Sequence, residues 1–168
     1  MKTWHGIMKI LEVKHLSSDG KAIYEEQNIK NMIHKVGEEY LLKVLFSSTV
    51  KPQNYYVGLD NRIALEKNHQ IFDAGLYEPT SNGYERQAVD SSSFQVQEIT
   101  GTIQARTPTL AFRATSGSWT VKNIFIATAL LSNNANSVLI SSASLSREIT
   151  VSSGEIVTMR MAMALSDC

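Results

Sequence analysis

The last segment of the chain, residues 157–165 (VTMRMAMAL), alternates strictly between two sets of positions. Its odd-numbered positions are all apolar, whereas its even-numbered positions include Arg160. Successive side chains of a β-strand point to opposite faces, so this segment predicts a strand with one wholly apolar face, which a second layer must cover. We expect Met159, Met161 and Met163 to line the domain's own core; the alternative is an adaptable surface for a partner.

The sequence from Pro52 onward lacks a helical period and consists of short apolar stretches separated by Gly, Ser, Asn and Pro. Eight or more strands of this kind predict a mainly β fold, a jelly-roll-like β-sandwich that covers the apolar face of the final strand. Residues 119–131 are apolar on both faces from Ile124 to Ile126, so we expect that strand to be central.

One amphipathic α-helix is predicted near the N-terminus. Residues 7–16 and 22–26 have the composition of an opening hairpin, and after Asn28 the apolar side chains recur at three- and four-residue spacing. This period predicts a helix over about residues 29–46, with Asn28 as its N-cap and Gly37 as a point where it kinks or splits.

No internal repeat or linker divides the sequence, so residues 1–168 are predicted to form a single domain. Residues 1–6 precede the first strand and are expected to form an N-terminal arm. Residues 60–83 are irregular and polar and include a strong turn signal, so we expect a long surface loop there.

The composition limits the environment and the partners of the chain. Sixteen Lys and Arg balance sixteen Asp and Glu without a basic run, so we expect no nucleic-acid partner. No apolar stretch is as long as the ~20 residues that span a bilayer, so no membrane partner is expected either. The one cysteine, Cys168, allows no intrachain disulfide, which suits a protein made in a reducing cytoplasm.

No combination of residues points to catalysis. The four histidines are scattered singly, and nucleophile and phosphate-binding motifs are absent. A lytic or polysaccharide-degrading domain would need a pair of positioned carboxylates, and none is evident. We therefore predict that the protein is not an enzyme and has no catalytic, cofactor-binding or metal-binding residues. Asp60 and Asn61 are interpreted as an Asx-type turn that closes a strand, in preference to a calcium site.

Eight residues are candidates for contact with a partner. Trp4 and His5 lie before the first strand, where an aromatic ring either folds back onto its own domain or anchors to a neighbour. The other candidates belong to the long loop or border it: Asp60, Asn61, Arg62, Phe72, Tyr77 and Tyr84. The three aromatic side chains of this set could stack on sugar rings or pin the loop down.

Four segments carry a resemblance to a known class of proteins: residues 55–62 (YYVGLDNR), 78–89 (EPTSNGYERQAV), 117–121 (GSWTV) and 158–165 (TMRMAMAL). In this combination, which extends over most of its length, the chain resembles small virion structural proteins of tailed bacteriophages. The resemblance implies a β-sandwich module of the kind that serves as capsid cement, as a fibre, or as a tail or neck component. It transfers no catalytic residue.

From this resemblance we expect a cement or decoration protein of the virion, made in the host cytoplasm. It would bind the outside of the major capsid protein lattice, stabilise that lattice and associate with copies of itself as a homo-oligomer. The balanced charge favours an outer position, because a protein in contact with the genome would be basic. The alternative is a tail, neck, baseplate or fibre component, with host glycans as a further partner.

Overall fold

The structure, a computed structural model, describes residues 4–62, 64–71, 77–130 and 137–167, with the backbone alone for residues 4–7 and 165–167. The elements are, in chain order, β1 (Trp4–Leu16), β2 (Ala22–Ile33), α1 (Lys35–Phe46), β3 (Asn54–Asp60), β4 (Gln87–Asp90), β5 (Gln95–Ile99), β6 (Thr102–Arg106), β7 (Leu110–Arg113), β8 (Ser118–Ala127), β9 (Leu139–Ser152) and β10 (Ile156–Asp167). The prediction of a mainly β protein is confirmed.

All ten strands belong to one antiparallel sheet, in the order β4-β3-β8-β9-β2-β1-β10-β6-β5, and β7 pairs with the first half of β10. The end strands β4 and β5 are nevertheless joined by residues 91–94 alone. Such a short connection spans at most ~18 Å, so the sheet has to curl. The result is a curled half-barrel.

The apolar face of β10 lies inside the curl, as its alternation predicts. Val157, Met159 and Met161 are buried and belong to the main core cluster, while Met163 is half-buried and packs against that cluster. The prediction that the methionines line the core is therefore confirmed for Met159 and Met161. Arg160, on the other face, is exposed.

Strand β8 is an interior strand with β3 on one side and β9 on the other. Ile124, Phe125 and Ile126 are all buried because one face of β8 covers the main core cluster and the other covers a second, smaller cluster. The prediction of a central strand is confirmed. The second cluster also contains Leu65 and Ile71, so the described part of the loop over residues 60–83 contributes to the interior.

The helix begins six residues later than its spacing predicts, at Lys35. Residues 29–33 continue β2 instead, because Ile29 pairs with Ile10 of β1 and Asn31–Ile33 pair with β9. Hydrogen bonding to two neighbouring strands outweighs the helical spacing of this segment. Asn28 is not an N-cap but a left-handed residue within β2, with a φ of 55°.

The predicted N-terminal arm is in part a strand. Trp4, His5 and Gly6 pair in register with Asp167, Ser166 and Leu165, so the backbone from residue 4 onward belongs to β1. Residues 1–3 lie outside the described residues. These residues form a strand because the last residues of β10 have backbone N–H and C=O groups that need hydrogen-bond partners, and the N-terminal segment supplies them.

Helix α1 runs without a break past Gly37, the point at which a kink was predicted. A Cβ atom at Gly37 would lie 2.2 Å from the carbonyl oxygen of Ile140 and 2.7 Å from its Cα. Backbone atoms of a central strand cannot move aside easily. Glycine therefore allows α1 to pack directly on the backbone of β9.

We expect Gly37→Ala to lower the free energy of unfolding by about 1–3 kcal/mol because of overpacking, although Ala favours a helix by about 1 kcal/mol. Lys35→Ala, at an exposed position of the same helix, should change it by less than about 0.5 kcal/mol. Urea unfolding measures both variants. A Gly37→Ala protein at least as stable as the wild type would contradict the close approach.

A buried histidine ties the turn between β9 and β10 to β1. Nε2 of His15 lies 2.8 Å from Oε2 of Glu155, and the same oxygen accepts the backbone N–H of Ser152 at 2.7 Å. The hydrogen bond from Ser152, assisted by His15, lowers the pKa of Glu155 from its usual value of 4.5. The fold thus favours the ionised carboxylate.

Because the folded-state pKa of Glu155 is lowered, its contribution to stability is complete above pH 4.5 and is lost as the pH falls through the lowered value. We expect the wild type to be more stable than Glu155→Gln at neutral pH, with a difference that shrinks below pH 4.5. Urea unfolding over a pH series measures this difference. A difference that stays constant down to about pH 3 would rule out the proposed linkage.

Candidate functional site

The end of β3 gathers five of the eight predicted contact residues. Asp60 is the last residue of β3 and is fully buried. Its Oδ1 accepts the backbone N–H of Arg62 at 2.9 Å, and its Oδ2 accepts Nε of Arg62 at 3.2 Å. The first of these bonds spans two residues, so the predicted Asx-type turn is confirmed.

A polar row across three strands supports this turn. Asp60 pairs in register with Asn123 of β8, which pairs in turn with Ser144 of β9. Nδ2 of Asn123 donates to Oδ1 of Asp60 at 3.2 Å and to the carbonyl oxygen of Arg62 at 2.7 Å. The hydroxyl of Ser144 donates to Oδ1 of Asn123. The row therefore satisfies buried polar groups that would otherwise be costly.

Burial raises the pKa of Asp60, and its hydrogen bonds together with the guanidinium of Arg62 oppose that rise. The side chain has no exposed surface through which to touch a partner. The prediction of Asp60 as a contact residue is therefore corrected: its carboxylate closes β3 from the inside.

Among the described residues of this loop, Tyr77 is the accessible aromatic, with 56% of its surface exposed. The guanidinium carbon of Arg62 lies 4.8 Å from the centre of its ring, and the backbone N–H of Asn61 donates to its carbonyl oxygen at 3.1 Å. One part of the ring is thus engaged by a cation. Tyr77 remains available at the surface, whereas the side-chain oxygen of the half-buried Asn61 is buried.

A second network holds the segment that follows Tyr77. The carboxylate of Glu78 accepts Nη2 of Arg86 at 2.7 Å and Nε of Arg86 at 2.8 Å, and these side chains are 11% and 3% exposed. Nη1 of Arg86 donates to the carbonyl oxygen of Ala129 at 2.9 Å. A bidentate pair of this kind fixes geometry as well as charge. It anchors the loop to the segment after β8.

Tyr84 joins this network to the core. Its hydroxyl donates to Glu78 and accepts the backbone N–H of Leu59 at 2.8 Å, while its ring stacks on Phe112 and meets Trp119 edge-on. Burial, followed by the charge of Glu78, raises the pKa of the Tyr84 phenol well above its usual value. Of the two roles predicted for the loop aromatics, Tyr84 has the role of pinning the loop down.

The remaining predicted contact residues are not brought to this site by described atoms. Phe72 lies outside the described residues. Trp4 and His5 lie at the start of β1, where their backbones pair with β10. Glu78, Arg86 and Asn123 were not predicted, because no local pattern marks residues that meet only after the strands have paired.

The exposed side of α1 carries an apolar surface that the sequence did not predict. Leu42, Leu45 and Phe46 are 58%, 62% and 82% exposed, and Val50, four residues later, is 86% exposed. Positions three and four apart share one side of a helix, so the three helical residues form a common surface. We call these three residues the α1 patch.

Three negative findings complete the description of the site. Among the described residues, no group of three or more His, Cys, Asp or Glu side chains could hold a metal ion. None of the helices in the described ranges is long and apolar enough to cross a membrane. The sequence matches no known protein family and no curated protein. The surfaces described above are therefore the basis for a functional proposal.

We expect Arg86→Ala to lower the free energy of unfolding by about 3–5 kcal/mol, because it leaves the carboxylate of Glu78 buried without its partner. Arg113→Ala removes an exposed arginine and should change stability by less than about 0.5 kcal/mol. Tyr84→Phe, which removes only the hydroxyl, should cost about 1–3 kcal/mol. Denaturant unfolding measures all three, and equal effects of the two arginine substitutions would refute the role of the network.

Proposed function

We propose that this chain is a structural protein of a tailed-bacteriophage virion, a capsid cement or decoration protein that binds the outside of the major capsid protein lattice and stabilises it. The observation that carries the proposal is the α1 patch. Soluble monomers rarely expose large apolar side chains in one group, and such groups mark surfaces that a partner covers.

The charges around the α1 patch suit an uncharged partner surface. Nζ of Lys43 lies 2.6 Å from Oε1 of Glu39, and Nζ of Lys67 lies 2.7 Å from Oε1 of Glu38. Both acidic side chains of α1 are thus paired within the chain itself. An interface with an apolar centre and a polar rim is typical of stable protein association, and a shell of many identical proteins offers repeated sites for it.

The jelly-roll-like sandwich belongs to the same proposal. Strands β4-β3-β8-β9 would form one layer, and β2-β1-β10 with β7 would form the other. In support, the main core cluster joins Val57 and Val121 from the first group to Met8 and Met159 from the second. Side chains from two inner faces that pack into one core are what a sandwich requires.

The alternative is a tail or fibre component that contacts host glycans. Not all of the loop aromatics that the sequence offers for stacking on sugars are available for that role. Tyr84 is engaged by Glu78, Phe112 and Trp119, so it cannot stack on a sugar. Of the loop aromatics in the described ranges, Tyr77 fits such a role, since more than half of its surface is exposed. The α1 patch favours a protein partner over a glycan.

In purified virions of the phage that encodes the chain, we expect a copy number comparable with that of the major capsid protein, as measured by quantitative mass spectrometry. A copy number typical of one tail or neck ring would support the alternative and contradict the cement proposal. Absence of the chain from the particle would exclude both.

The α1 patch can be tested on particles that lack the protein. The double variant Leu45→Asp, Phe46→Asp should bind these particles at least about tenfold more weakly than the wild type. Ile23→Asp, at an exposed apolar position of β2, is the matched control and should bind normally. Circular dichroism confirms that each variant is folded. Equal binding by both variants would remove the patch from the interface.

A further inference from the structure

Strand β5 is the last strand of the sheet and has an open edge. It pairs with β6 through five residue pairs, from Gln95 with Arg106 to Ile99 with Thr102, and no second neighbour occurs in the described ranges. Residues 95–98 are exposed in succession, so both faces of the strand project from the body. The outward N–H and C=O groups of an edge strand form a template for another strand.

The usual protection against such pairing is weak in β5. Edge strands are commonly guarded by proline, lysine or a β-bulge. The segment Gln95–Ile99 contains neither proline nor lysine, and its register with β6 is unbroken. The turn at Thr100 and Gly101, with φ values of 48° and 78°, has the paired positive φ of a tight hairpin turn that keeps the two strands regular. Glu98 is the one charged side chain of the strand.

The face of the hairpin that continues the core is open and carries Val96, Ile103 and Ala105 together with the charged side chain of Glu98, which pairs with Ile103. Residue pairing places Met8, Met163, Ala105 and Val96 in one row across four strands. This row begins in the core, where Met8 is buried, and ends at Val96, which is 71% exposed. Ile103, on the same face as Val96, is 59% exposed. The face of the sheet that lines the core therefore continues to β5, where no other part of the described chain covers it.

We propose that β5 pairs antiparallel with β5 of a second copy of this chain, across a two-fold axis at Gln97. In this register each of the five residues of β5 has a partner, and Gln97 faces itself, where an amide can both donate and accept. Glu98 faces Val96 of the other copy, whereas a two-fold axis at residue 98 would place Glu98 opposite itself. The formal net charge of zero adds no long-range repulsion between the copies.

This contact deepens the proposed function, in which copies associate with one another, but it uses a surface other than the α1 patch. The two proposals therefore fail separately. A chain absent from virions that still pairs through β5 would refute only the virion role. A chain that decorates particles as a monomer would refute only the β5 contact.

Cross-linking tests the position of the axis. In a Cys168→Ser background, which removes the native cysteine, Gln97→Cys should join two copies efficiently through a short bis-maleimide. Val50→Cys, at an exposed position after α1, is the control and should not. Efficient cross-linking at residue 50 without any at residue 97 would overturn the proposal.

Analytical ultracentrifugation tests the association itself. The wild type should sediment as a dimer at micromolar concentrations, and Val96→Glu should weaken the dimer at least about tenfold because it places a second carboxylate opposite Glu98 of the other copy. Val50→Glu should leave it unchanged. Unaltered circular dichroism and urea midpoints show that both variants fold. A wild type that is monomeric throughout, or a dimer that Val96→Glu leaves intact, would contradict β5 pairing.

Discussion

The fold depends on one short stretch of β9, residues 140–143, where three elements meet. Asn31–Ile33 of β2 pair with β9 here, and this is the step at which the strand order passes from β9 to β2. The backbone N–H of the buried His34 donates to the carbonyl oxygen of Ile140 at 3.0 Å, and Nε2 of His34 lies 2.8 Å from the hydroxyl of Ser142. Gly37 then lets α1 rest on the same backbone. The step from β9 to β2 and the position of the helix thus depend on the same stretch of backbone.

Local sequence patterns predict those parts of the fold that depend on local geometry. The alternation of β10 and the two-sided apolar segment of β8 each describe one strand and what covers its faces, and both agree with the structure. The start of α1 could not be predicted in the same way. Ile29 has a helical spacing to the residues after it, but its partner Ile10 lies in β1. Hydrogen bonding between segments distant in sequence decides such cases.

The same distinction separates the predicted from the unpredicted parts of the candidate site. The turn at Asp60 involves Arg62, two residues away, and the sequence is sufficient to predict it. The pair of Glu78 and Arg86 is buried only because β3, β8 and the loop come together, so its value as an anchor is invisible in the sequence. The sequence does contain a signal for the α1 patch, because the run LLKVLF within α1 is apolar on more sides of the helix than one buried stripe requires.

The pairing of Trp4 with Asp167 places the two ends of the described chain side by side at one corner of the sheet. Any polypeptide attached before β1 would leave the domain next to any polypeptide attached after β10. A circular rearrangement that joins these ends through a short linker would keep every strand in its place, because no strand has to cross the sheet to make the new connection. The described chain therefore begins and ends at neighbouring points of one strand pair, β1 and β10.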